Sequence, residues 1–270
     1  MLPSFHMHGK RPSTRRPAAR GPKTSWEGVA RWYGKHMEKE DTVQDAVVLP
    51  GAERLLSPAP GKRYLDIACG EGAFTRLIAK KQGVKVAGFD ASPSLIERAK
   101  KLFPHGDYAV ADARKFAAKY PAASFDGASC LLAIQNIDEI GPVFADAAKV
   151  LKPGAKLVVV MNHPAFRQLR QSGWGWDENR KLQYRRVDKY LGAYDVPVQA
   201  HPGSAPDVVT HSFHRPLQAY VKALAKNGFS IVDLEEWTSH KTSDSGPKAK
   251  AENAARVEIP MFLALVAKRS

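Results

Sequence analysis

At 270 residues, with 44% hydrophobic and 25% charged side chains, the chain has the composition of a globular protein of one or two domains, which excludes a wholly disordered or collagen-like polymer. Its longest apolar runs, such as 261–267, fall far short of the ~18 residues needed to cross a bilayer, and no secretory h-region follows the first residues. Two cysteines, Cys69 and Cys130, cannot build a disulfide framework and fit a reducing, cytoplasmic setting. Lysine and arginine number 41 against 27 acids, a net charge of +14. Such a surplus admits RNA, an anionic surface or an anionic small molecule as partner. It is concentrated in the first 25 residues, where Lys10, Arg11, Arg15, Arg16, Arg20 and Lys23 face no acid. That stretch lacks the interleaved aromatics of an RNA-binding segment.

Residues 1–23 are rich in Pro, Arg, Ser and Gly and have no apolar periodicity, so they are expected to be a disordered basic tail. Residues 24–270 are expected to be one domain. Thr24 and Glu27 have capping-box spacing, and Trp26, Val29, Ala30 and Tyr33 then recur on one helical face. A second helix is expected from Val43 to Leu56, interrupted by Pro50. After Gly61 the pattern turns to strand–helix alternation. Strands are expected at Arg63–Ala68, Val84–Phe89, Tyr108–Ala111, Phe125–Ala133 and Lys156–Met161. Helices are expected at Ala73–Lys81, from Ser92-Pro93 to Leu102, and before Leu151, with a turn at Pro153-Gly154. Residues 164–210 break the rhythm with Trp174, Trp176, Tyr184, Tyr190 and Tyr194 among many charges, and are expected to be an insertion covering a substrate. A helix at Pro216–Lys226 closed by Asn227-Gly228, a strand at Phe229–Trp237, a polar loop at Ser239–Arg256 and a last strand at Val257–Ala267 complete the reading. Strands separated by helices imply a parallel sheet with right-handed crossovers.

The stretch 64–72, Tyr-Leu-Asp-Ile-Ala-Cys-Gly-Glu-Gly, is the most informative. A buried strand runs into a turn of small residues that opens a helix, so a ligand can approach the backbone and its N–H groups. Asp90 ends the next strand, 18 residues beyond Gly72, where a carboxylate can accept both ribose hydroxyls of a nucleoside. A dinucleotide site reads poorly, because either G-x-G-x-x-G frame loses a glycine, and no Gly-Lys-Ser/Thr follows for a P-loop. Asp66 decides between ligands: its charge beside the turn repels a pyrophosphate and favours an ammonium group.

Asp66, Ala68, Gly70 and Gly72 resemble the Asp-x-Gly-x-Gly-x-Gly motif of the class I S-adenosylmethionine-dependent methyltransferases, with Ala68 in place of the first glycine. Ala111-Asp112-Ala113, Phe125-Asp126-Gly127 and Leu151-Lys152-Pro153-Gly154-Ala155 look like that family's later signatures, in order, and the resemblance covers about Trp26 to Lys268. It implies an α/β, Rossmann-like sheet of seven strands in order 3-2-1-4-5-7-6, strand seven antiparallel, with helices on both faces and the insertion after strand five. It implies S-adenosylmethionine as cofactor, with Asp90 and Ala91 at the ribose, Asp112 and Ala113 at the adenine, and Tyr33 and Gln135 covering the pocket.

For the acceptor, in-line methyl transfer needs positioning and dryness more than any one side chain. The candidates are Asn136 after strand four, His163 and Arg167 after strand five, and His214 before the last helix–strand pair. His163 can take a proton near neutral pH, and Arg167 can clamp an anion. His36 could share the face of Tyr33. His211 and His214 lack a third ligand, so no metal is expected. A small-molecule acceptor is the favoured reading. RNA is the alternative, although the fourth strand ends Ala133-Ile134-Gln135-Asn136 and not in the Pro-Pro-Tyr/Phe pattern used on nucleic-acid amino groups. A third reading is a cofactor-binding module without turnover.

Overall fold

The computed structural model describes residues 26–27, 41–199 and 209–270. The expected tail and most of the first helix, including Tyr33 and His36, lie outside the described residues. Seven strands form the central sheet: β1 (Arg63–Ile67), β2 (Lys85–Asp90), β3 (Asp107–Val110), β4 (Phe125–Leu131), β5 (Leu151–Asn162), β10 (Phe229–Trp237) and β11 (Phe262–Arg269). Their order is β3-β2-β1-β4-β5-β11-β10. The first five run parallel, and β11 is antiparallel to both neighbours. With β10 and β11 as the sixth and seventh sheet strands, this is the expected order and the expected antiparallel strand.

Both faces of the sheet are covered, so its central strands are apolar on both sides. In β5, Leu157, Val159 and Met161 join one core with α4 (Ile140–Val150) and α5 (Leu217–Lys226), while Val158 and Val160 join the other with α1 (Leu49–Leu56) and α2 (Ala73–Ala79). β11 divides likewise, with Leu263, Leu265 and Ala267 on one side and Phe262, Ala264 and Val266 on the other. The remaining early helix, α3 (Pro93–Leu102), starts as expected, with Ser92 Oγ accepting from the Leu95 amide (3.2 Å) and Pro93 at the first helical position.

Three expectations need correction. Pro50 does not interrupt its helix: a π-helical turn at Gln44–Val48 runs straight into α1, and Pro50 falls in the first α turn, where a missing N–H is harmless. The Pro153-Gly154 turn lies within β5 as a bulge, the register jumping from Phe125↔Leu151 to Gly127↔Lys156 with Gly154 at φ +78. Residues expected as a loop hold α6 (Ala249–Glu258), which ends the last strand's claim on Val257 and moves that strand to Phe262. The insertion and the residues just after it hold two antiparallel ribbons, β6 (Ser172–Asp177) with β7 (Leu182–Val187), and β8 (Tyr194–Gln199) with β9 (Val209–His214). His211 and His214 therefore stand on a strand.

Candidate active site

The turn after β1 is built on positive backbone angles: Ala68 at φ +54, Gly70 at +58 and Gly72 at +77. Ala68 holds a left-handed conformation that costs a residue with a Cβ about 1 kcal/mol, which is why related turns favour glycine there. The two glycines have different reasons to be glycine. A Cβ on Gly72 would run into the Tyr108 ring (2.9 Å), whereas a Cβ on Gly70 would meet nothing within 4 Å. Gly70 is thus where the backbone lies open to a ligand.

Two carboxylates are buried at this turn. Asp66 belongs to β1 itself, and its oxygens accept from Thr75 Oγ1 (2.8 Å) and Ser129 Oγ (2.9 Å). Burial pushes its carboxyl up to about 6 against the pull of those hydroxyls. Asp90, at the end of β2, accepts from the amides of Gly70 (3.0 Å) and Ser92 (2.9 Å), and burial raises it as well. Each amide takes one lone pair, which leaves each Asp90 oxygen able to accept a ribose hydroxyl. The pair makes the turn electronegative: burial and then the charges of Asp66 and Asp90 push the Cys69 thiol well up. A diphosphate is disfavoured in such a field, and a cationic nucleoside with no phosphate fits it.

The edges of this pocket are held by ion pairs. Asp112 is gripped by Arg114 through Nη2 (2.7 Å), Nε (3.1 Å) and the Arg114 amide (2.9 Å), and that grip holds its carboxyl below the usual range. Arg114 also reaches Asp138 (3.0 Å), tying the end of β3 to the loop after β4. Ala113 is buried beside it, and Ala91 is exposed after β2. The Glu27 carboxylate receives Ser92 Oγ (2.5 Å), Ser94 Oγ and the Ser94 amide (3.2 Å) at the start of α3. The Ser92 and Ser94 hydroxyls hold it below its ordinary value.

Gln135, His163, Arg167 and His214 come together around a small, partly open cavity between the ends of β4 and β5 and the β8–β9 ribbon. Asn136 is not in its wall. The Gln135 and Asn136 amides both turn back to the Leu132 carbonyl (2.6 and 3.4 Å), at a residue forced to φ +53. Gln135 Oε1 is buried and has no hydrogen-bond partner among the described residues. The two histidines differ in what they can offer. His163 Nδ1 accepts from the amides of Ala165 (3.1 Å) and Phe166 (3.2 Å), so Nε2 carries the proton and donates to Glu236 (2.7 Å). His163 has no lone pair left for an acceptor; it caps the turn after β5. His214 donates Nε2–H to the Tyr190 carbonyl (2.8 Å) and stacks on Tyr194 (4.7 Å between centroids). Its Nδ1 keeps a lone pair, and burial lowers its pKa, so the ring is neutral near pH 7.

Arg215 donates to the carbonyls of Ile137 (2.7 Å) and Asp138 (2.5 Å), clamping the loop after β4 to β9. This clamp, the Thr75 and Ser129 partners of Asp66 and the Glu236 partner of His163 are not visible in the sequence. Each is one ordinary polar residue, and all but Thr75 lie more than 60 residues from the partner.

Comparison with known proteins agrees with this geometry. Residues 65–159 match the family model described as "Methyltransferase domain". The demethylmenaquinone methyltransferase of Tropheryma whipplei (strain Twist) is 33% identical over 140 residues, 50% of this chain and 57% of that protein. The 2-phytyl-1,4-naphtoquinone methyltransferase of Synechococcus elongatus is 34% identical over 154 residues, 50% of this chain and 65% of that protein. The chain thus spans less than two thirds of the curated relatives it matches. A crystal structure of an S-adenosylmethionine-dependent methyltransferase from Mesorhizobium loti superposes with a TM-score of 0.66 at 28% identity, covering 85% of this chain and 99% of that one. Residues 65–159 thus form a methyltransferase domain, and the sheet around them has the fold of the class I S-adenosylmethionine-dependent methyltransferases.

Proposed function

We propose that this protein transfers a methyl group from S-adenosylmethionine to a small-molecule acceptor, in a cytoplasmic setting. The observation that carries the reading is the open backbone at Gly70 between two buried carboxylates, Asp66 and Asp90. In this reading Asp90, with Ala91, receives the ribose hydroxyls. Asp66 supplies the field for the ammonium group, Ala68, Gly70 and Gly72 shape the turn, and Asp112 and Ala113 border the adenine. The cofactor supplies a methyl already activated as a sulfonium. The chain's task is to hold the acceptor atom in line and keep water out.

The cavity bordered by Gln135 and His214 seats the acceptor, and Gln135 Oε1 accepts a hydrogen bond from it. Where the acceptor is a hydroxyl, the oxygen lone pair forms the new C–O bond, the C–S bond breaks, and the proton passes to His214 Nδ1. Asn136 steadies the Gln135 loop, and Arg167 adds a positive charge to the wall. The names of two curated relatives, a demethylmenaquinone and a 2-phytyl-1,4-naphtoquinone methyltransferase, support a small aromatic acceptor class.

Calorimetric titration with S-adenosylmethionine and S-adenosylhomocysteine, beside Asp90→Ala, tests the cofactor half. The expected result is low-micromolar binding, weakened at least about tenfold in the variant. Folded wild-type protein that takes up neither ligand would end the reading. A mass-spectrometric screen for one added methyl on hydroxylated aromatics, with an RNA pool as second arm, then tests the acceptor.

A further inference from the structure

Beyond Arg167 lies a second, roomier cavity between the β6–β7 hairpin and the segment that joins β10 to β11. Its wall is apolar and cationic but for Ser239. Phe166, Trp174, Ile259, Pro260 and Met261 are apolar, and Arg167, Arg185 and Arg256 are cationic; no acidic side chain lines it. Among the described residues, none of the three arginines makes an ion pair. Their hydrogen bonds are incomplete in an informative way. Arg185 is pinned by Nε to the Phe166 carbonyl (2.6 Å) and by Nη2 to Ser172 Oγ (3.0 Å), with its guanidinium over the Trp174 ring (5.1 Å). It is a fixed charge. Arg256 is held through Nε to Ser243 Oγ (3.1 Å), which leaves its terminal amino groups for another partner. Arg167 lies over the Phe262 ring (5.0 Å), and its Nη1 is buried without a hydrogen-bond partner.

A buried guanidinium nitrogen without an acceptor, next to a second guanidinium, is costly, and folded chains seldom keep one unless a water or an anion completes it. Burial, and then the Arg185 charge, lower the Arg167 pKa. Arginine forks match carboxylate geometry, and Trp174 with Phe166 and Met261 offers a flat apolar surface for the rest of a ligand. A free inorganic anion would leave that surface unused.

We infer that this second cavity is a binding site for an aromatic carboxylic acid, its carboxylate held by Arg167 and Arg256 and its ring laid against Trp174. The inference is independent of methyl transfer, since binding can be read without cofactor or turnover.

The probe is 2-naphthoate, compared with neutral 2-naphthylmethanol, by calorimetry and by quenching of tryptophan fluorescence. Wild-type protein is expected to bind one equivalent of naphthoate and to prefer it to the alcohol by at least about tenfold. Arg167→Gln and Arg256→Gln should each remove most of that preference while the weak affinity for the alcohol stays. Trp174→Ala should weaken both probes and abolish the quenching. Thermal melts and S-adenosylhomocysteine binding of Arg256→Gln check that the fold is intact, and this variant decides alone if Arg167→Gln does not fold. Equal affinity for acid and alcohol, or naphthoate affinity unchanged in folded Arg256→Gln, would overturn the inference.

Discussion

With its carboxyl pushed up to about 6 by burial, Asp66 holds a proton more readily in the folded chain than in the unfolded one, where its value is near 3.8. Its contribution to stability is therefore complete below about pH 4 and is lost as pH rises through about 6. A cationic ligand favours the ionised form, so binding below pH 6 must expel that proton. Affinity for S-adenosylmethionine should fall as pH drops from 7 to 5, by up to about tenfold per unit below 6, and Asp66→Asn should flatten the profile. Calorimetric Kd values across pH 5–8 check this; a flat wild-type profile would place the ammonium elsewhere. The two histidines separate in the same spirit. For an acceptor that must lose a proton, His214→Ala should lower kcat about 100-fold and remove an acidic limb lying below pH 6.5. His163→Ala should act through folding, because the Ala165 and Phe166 amides and Glu236 lose their partner; urea unfolding should show a loss of about 2 kcal/mol. Gly70, Gly72 and Asp90 were legible in the sequence because positive backbone angles select glycine and a lone acid at a strand end is uncommon. Which histidine retains a lone pair was not legible, since that depends on amides three-dimensionally arranged around each ring.

At the scale of elements, the β8–β9 ribbon and the loop after β4 form a single wall because Arg215 bonds the Ile137 and Asp138 carbonyls. Arg215→Met should cost about 2 kcal/mol in urea unfolding and speed hydrogen exchange across 132–138 and 209–214 about tenfold. Exchange confined to only one of the two segments would mean that the clamp is not shared. The seven sheet strands were readable because both faces are covered, which writes near-continuous apolar runs. The four strands of the insertion were not, although Trp174 and Trp176 alternate with Gly173 and Gly175 as a strand would. They form two-stranded ribbons with partly exposed faces, and charge obscures the period of two. α6 escaped for a related reason: only Ala255 is buried, so it has no apolar stripe.

For the molecule as a whole, both cysteines are free, and burial holds the thiols protonated, Cys130 up to about 12. Native protein at pH 8 should react slowly with a disulfide reagent, Cys69 first, and both should react at once in denaturant; fast labelling of Cys130 in the native state would contradict its burial. Among the described residues no helix is long and apolar enough to cross a membrane. The placement of β11 has a consequence for synthesis. It fills the gap between β5 and β10, pairing residues such as Leu157 and Ala267 that are far apart in the chain. On the ribosome, β5 and β10 are made first and cannot pair with each other in the finished order. Until residues 262–269 emerge, the nascent chain holds a half-built sheet with two open edges, the arrangement most prone to capture by another chain. Co-translational folding of this protein must wait for that strand, and a chaperone that shields the β5 edge would act at this stage.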